Sequence, residues 1–146
     1  YSNYRWQDTR MAIMLNALKF SFIRPFVGLG AASFPVIYEI QENIWKGHTH
    51  NLILELAVSY GVPSAIILSI TIFILLVNSG RILFNQPKDQ QHLNLYDRAI
   101  WASIFFFLVS QAVDVQYFDG KISILAWILL SCLKNIIDEK KLKLND

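Results

Sequence analysis

Between Glu55 and Arg81 the chain runs for 25 residues, Leu56 to Gly80, without one charged side chain. About 20 apolar residues carry a helix across the hydrocarbon core of a bilayer. A helix on a soluble protein must keep a polar face for water, so few soluble folds can place such a run. Gly61-Val62-Pro63 interrupts it near its start. Proline is tolerated in the first turn of a helix, so the pattern predicts a break and then a span from about Pro63 to Phe84.

Two shorter charge-free runs follow, Ala99 to Val113 with 15 residues and Ile122 to Leu133 with 12. Each alone is short for a span. Together they predict a helical hairpin, from about Arg98 to Tyr117 and from about Gly120 to Ile137. Arg98, Lys121 and Lys134 can snorkel at its ends, and Trp101, Tyr117 and Trp127 suit an interface or a packed bundle. The same runs would also suit two buried helices of a soluble bundle, but the neighbouring 25-residue run argues for the membrane. Only 16% of the residues are charged, against roughly 25% in soluble domains. The net charge is +2, and the cations form no stripe interleaved with aromatics, so nucleic acid is not an expected partner. The one cysteine, Cys132, sits inside an apolar run, which excludes disulfides and a cysteine-based metal site.

Lysine and arginine in short loops mark the cytoplasmic side. The Ser79–Tyr96 link carries Arg81 and Lys88, and the tail after Leu133 carries four lysines. The turn around Asp119 has only Lys121, beside Asp114 and Asp119. That turn and everything before the first span are therefore expected to face outward. The outer segment nevertheless holds Arg5, Arg10, Lys19, Arg24 and Lys46, and five cations there invite an anionic ligand. No charged-then-apolar leader opens the chain at Tyr1, so it is expected to be the C-terminal part of a longer protein. The expected fold is all-α: a polytopic membrane protein with about three C-terminal transmembrane helices, preceded by an outer segment with short helices. Residues 1–50 form the external (periplasmic-side) loop segment; residues 51–146 form the transmembrane helices and a cytoplasmic tail.

Within the outer segment, Met11 to Ile23 predicts a partly buried or interfacial helix, with Asp8 as N-cap and Pro25 as stop. Gly28-x-Gly30 alone is a weak phosphate signal, and glycine ending a helix is its commoner meaning. His48-Thr49-His50-Asn51 admits three readings. Two histidines with Glu55 could ligate a metal, but only on an extended backbone, because helical residues two apart point about 200° from each other. A polar loop could simply enter a helix capped by Asn51. Or a histidine at the mouth of a membrane helix could serve as a general base.

The spacing of these residues resembles the O-antigen ligase and polymerase superfamily of bacterial envelope glycosyltransferases. That family shows His followed by Asn, Ser or Gln, nine residues, then a glycine block. Here His50-Asn51 is followed by Leu52 to Tyr60 and then Gly61-Val62-Pro63-Ser64. Upstream, Arg10 precedes Pro25 by fifteen positions, and Pro25-Phe26-Val27-Gly28-Leu29-Gly30 precedes Phe34, as in the family's Arg–Pro–Gly block. The chain departs from the pattern at Ser64, at Ser59 where a Glu is common, and at Met14 where a Trp is common. The resemblance covers most of residues 10 to 80.

It implies transfer or polymerisation of a glycan from an undecaprenyl-diphosphate carrier to an acceptor hydroxyl, at the outer face of the cell inner (cytoplasmic) membrane. No cofactor or metal is implied. The partners would be the lipid-linked donor, a glycan or lipid-linked acceptor, and membrane lipid. His50 would be the catalytic base. Arg10 would bind the diphosphate, with Arg24 as a second candidate. His48, Asn51 and Glu55 would complete the substrate-binding set, His48 orienting its neighbour or touching phosphate and Glu55 fixing the imidazole. Asp114 and Asp119 would line the acceptor path, or merely solvate the hairpin turn. Rival functions are a transporter of a small ion such as bicarbonate and a non-catalytic membrane scaffold.

Overall fold

The computed structural model describes residues 9–85, 95–116 and 119–145. Arg5, Asp8, Tyr117 and Lys88 lie outside them. Among the described residues the chain is all-α, with no strand and six helices: α1 Arg10–Ser21, α2 Ser33–Glu42, α3 Leu52–Tyr60, α4 Val62–Phe84, α5 Leu95–Gln111 and α6 Gly120–Asn145. They fall into two compact units. One gathers the chain up to Ser69 with Ser110–Val115; the other gathers Ile70–Val109 and the chain from Gln116 onward.

The first unit is built on α1. Thr9, rather than Asp8, is its N-cap: the Thr9 hydroxyl accepts from Ala12 N–H. The helix ends at Ser21, four residues before Pro25, because Pro25 disfavours helical geometry in the residue ahead of it. Ile13, Ala17 and Phe20 recur at intervals of four and three, so they share one buried face. They pack with Phe34 and Tyr38 of α2 and Val58 of α3 in a core containing a Phe20–Phe34–Tyr38 ring cluster. Met11, Leu15, Leu18 and Phe22 stay exposed, so α1 is apolar on both faces, as a partly buried helix at a membrane surface would be.

The segment after α1 is locked to the far end of α3 by backbone alone. Leu29 N–H donates to Val58 C=O at 2.8 Å, Gly30 N–H to Ser59 C=O at 3.1 Å, and Val62 N–H to Pro25 C=O at 2.7 Å. Gly28 and Gly61 make this possible. Both have positive φ, 71° and 91°, and each lies against the backbone segment next to the other. A Cβ on Gly28 would run into the Ser59 carbonyl, and one on Gly61 would lie 2.5 Å from the Phe26 carbonyl oxygen. Gly28-x-Gly30 is therefore not a helix-ending signal. It is the place where two backbones meet, and Gly61 completes it.

In the second unit, Leu83, Ile104, Leu130, Leu133 and Ile136 form the core. Trp101 Nε1–H donates to Leu76 C=O at 2.9 Å, reaching α4 over Gly80, where a Cβ would come within 3.1 Å of the indole nitrogen. The Arg98 guanidinium donates to Leu83 C=O at 2.8 Å and lies over the Phe84 ring. It thus neutralises the negative end of α4 as well as anchoring α5. Among the described residues two helices are long and apolar enough to cross a membrane, α4 and the Gly120–Glu139 part of α6. Ile66, Ile67, Ile70, Phe73 and Ile74 of α4 are all exposed. The helix α5 has 17 residues and stops at Gln111, short of the expected Tyr117, which leaves Asp114 in a loop.

Candidate functional site

The polar centre of the first unit is the loop that enters α3. Asn51 has extended geometry (φ −152°) and its side chain accepts from Leu54 N–H at 3.1 Å, the expected N-cap. Immediately before it, His50 adopts φ 57°, a left-handed conformation that a non-glycine residue pays for. That turn folds the two histidines toward each other. Their ring centroids are 4.4 Å apart in an edge-on arrangement, and His50 N–H donates to His48 Nδ1 at 3.2 Å. The pair lies outside any helix and turns at His50, so the geometric objection to two cooperating histidines disappears.

Beneath the loop lies Glu55, only 2% exposed. Its carboxylate accepts from Thr49 N–H at 3.0 Å, and Thr49 is itself wholly buried, its hydroxyl donating to Asn51 C=O at 2.8 Å. Burial pushes the Glu55 carboxyl up, against the lowering effect of the hydrogen bonds from Thr49 and the charge of His48. Glu55 was expected to fix an imidazole or touch substrate. Instead it holds the backbone between the histidines, because one turn into α3 its side chain points back under the loop rather than out of it.

The residue that does meet the imidazoles is Asp114. Its Oδ1 lies 3.2 Å from His50 Nδ1 and 3.6 Å from His48 Nε2. Burial is the largest single influence and opposes its ionisation, but hydrogen bonds from His50 and from Val115 N–H, with the charges of both histidines, together outweigh it and hold its pKa below the usual value. An ionised carboxylate can only accept, so in the neutral form of His50 the proton belongs on Nδ1 and Nε2 keeps its lone pair. For neutral His48 the same reasoning is reversed. Its Nδ1 accepts from a backbone N–H, which leaves the proton on Nε2, directed toward Asp114. Asn51 ties the two segments together, its amide donating to Ala112 C=O at 3.2 Å.

Arg10 and Arg24 part company. Arg10 opens α1 and lies close enough to help lower the His48 pKa, after burial and the charge of His50. Arg24 follows the other end of that helix, about 18 Å along its axis. The buried face of α1 packs against Val58 of α3, and of the two arginines only Arg10 acts electrostatically on His48. Asp119 starts the turn into α6, accepting from Lys121 N–H at 2.9 Å, in the other unit. No family model, no curated protein and no solved structure matches this chain. Sequence reasoning did not single out Asp114 as an imidazole partner. The signal was an acid closing the charge-free run Ala99–Val113 on the side assigned to His50.

Proposed function

We propose that this chain carries part of the active site of an O-antigen ligase or polymerase type glycosyltransferase. In this reading it moves a glycan from an undecaprenyl-diphosphate carrier to an acceptor hydroxyl at the outer face of the cytoplasmic membrane. The observation that carries the reading is the Asp114–His50 pair, 3.2 Å apart, with His50 on a loop that leads through α3 into an apolar helix of spanning length.

A sugar hydroxyl is a weak nucleophile near neutral pH. His50 Nε2 would accept its proton as the oxygen attacks the anomeric carbon, and general-base assistance of this kind is worth about 10²–10⁴ in rate. Asp114 would hold the reactive tautomer and stabilise the imidazolium as it forms, the part a carboxylate plays in other histidine-based sites. The anomeric carbon–oxygen bond breaks and the lipid diphosphate leaves with the bonding pair. Arg10 would meet that charge with paired hydrogen bonds, and the N-termini of α1 and α3 would add two positive dipole ends. His48 would place a second donor on Asp114. Asn51 would hold the loop rather than the sugar.

Three spans complete the reading: α4, α5 and α6, with the 17-residue α5 the shortest. A small-ion transporter should place ionisable groups near mid-membrane, and α4 has none between its start and Arg81. A scaffold should tolerate loss of His50. The test is transfer from a purified lipid-linked donor by the full-length protein. His50→Ala should lose transfer while insertion and abundance stay unchanged; near-normal turnover would end the base assignment.

A further inference from the structure

We infer that His48, His50 and Asp114 bind one divalent cation of the Zn²⁺ class, and that filling this site turns His50 off as a base. The second half rests on the function proposed above; the first does not. The three candidate ligand atoms all lie within 4.8 Å of one another, with Asp114 Oδ1 at 3.2 Å from His50 Nδ1 and 3.6 Å from His48 Nε2. Ligands about 2.0–2.1 Å from a tetrahedral ion stand roughly 3.3 Å apart, so little movement is needed. Two imidazoles and one carboxylate suit Zn²⁺, Co²⁺ or Ni²⁺, whereas Mg²⁺ and Ca²⁺ require more oxygens. Three protein ligands leave the fourth corner to water.

The site is held in place by bonds that owe nothing to an ion. Thr49 N–H is fixed on buried Glu55, and the Asn51 amide joins the histidine loop to Ala112, two residues before Asp114. Two imidazole nitrogens lie 3.2 Å and 3.6 Å from one carboxylate oxygen, where a cation can take the place of a proton. His48 must then carry its proton on Nδ1, giving up the 3.2 Å bond from His50 N–H, one long neutral hydrogen bond exchanged for a metal–nitrogen bond. Nearby Arg10 opposes the added charge, so metal and diphosphate compete for one end of the unit. The consequence for His50 follows from its ring. With Nδ1 on the metal, the remaining proton sits on Nε2, which then offers the acceptor hydroxyl a donor instead of a lone pair.

Calorimetry of the detergent-solubilised full-length protein with Zn²⁺, and visible absorption with Co²⁺ as a tetrahedral reporter, test the site. One ion per chain is expected. His48→Ala, His50→Ala and Asp114→Asn should each weaken binding at least about tenfold. His48→Gln repeats the test without a void, and Cys132→Ser should bind as the parent does. Circular dichroism identifies any variant that fails to fold. Absence of a saturable ion, or an ion indifferent to all three ligands, overturns the site and leaves the base assignment untouched. Transfer should fall as Zn²⁺ binds and return with EDTA. A filled site with undiminished transfer would instead overturn the role of His50.

Discussion

With the Nδ1 proton of His50 directed at Asp114, the side chain's usefulness depends on a residue 64 positions away. Asp114→Asn can offer an amide N–H in place of the carboxylate and so favour the wrong tautomer. Transfer should fall by an amount comparable to His50→Ala, about 10²–10⁴-fold, while His48→Ala should lose less. Assaying the three variants with one lipid-linked donor checks the order. Arg10 makes a different prediction. If its two directed hydrogen bonds strengthen as the diphosphate departs, Arg10→Lys keeps the charge yet loses much of the rate, on kcat as well as KM. Full activity of the lysine variant would remove that role. Glu55 gives a pH test. Its folded-state pKa is raised by burial, so stability is greatest below the ordinary glutamate value and declines as pH rises through the raised one. Glu55→Gln still accepts from Thr49 N–H and should flatten that decline from about pH 4 upward, read as Tm in detergent. The spacing before Gly61 made His50 and Asn51 legible. Asp114 was not, because a pairing across 64 residues leaves no local pattern, and neither was the burial of Glu55, which depends on the fold of the loop above it.

At the scale of elements, charge-free runs and breakers located α4 and the starts of both hairpin helices to within a few residues. They erred at the outer end of α5, at the end of α6, which continues to Asn145 beyond the expected Ile137, and over the meaning of Gly28. A glycine pressed against a distant carbonyl reads locally like any glycine after a helix. The contact can be tested by comparing two neighbours. Gly30 has φ 104° but open space where a Cβ would go, whereas Gly28 meets Ser59. Alanine at Gly30 pays only for left-handed geometry, roughly 1–2 kcal/mol. Gly28→Ala and Gly61→Ala add a backbone collision and should lower Tm by distinctly more. Equal losses at Gly28 and Gly30 would show that the close approach contributes nothing.

For the whole molecule, the distribution of lysine and arginine predicts a topology for the proposed reading, in which the histidine loop and the Asp114 loop would face outward and the end of α6 inward. In a Cys132→Ser background, cysteines at Asn43 and Gln116 should react with an impermeant thiol reagent from outside, and one at Glu139 should not. The reverse pattern would put His50 on the wrong side for a lipid-linked donor. One further consequence lies in the length of α3. Its nine residues rise about 14 Å, from the Asn51 cap to the backbone contact at Gly61. Both of its ends are pinned, one to Ala112 and the other to the turn after α1. The helix is thus a spacer of fixed phase. Inserting one alanine would turn the histidine loop by about 100° and advance it 1.5 Å, and no adjustment at either end could absorb the rotation. Inserting a full turn would restore the facing but carry the imidazole about 5 Å from its carboxylate. Among sequences that work this way, the count between His50 and Gly61 should vary less than the identity of almost any residue within it.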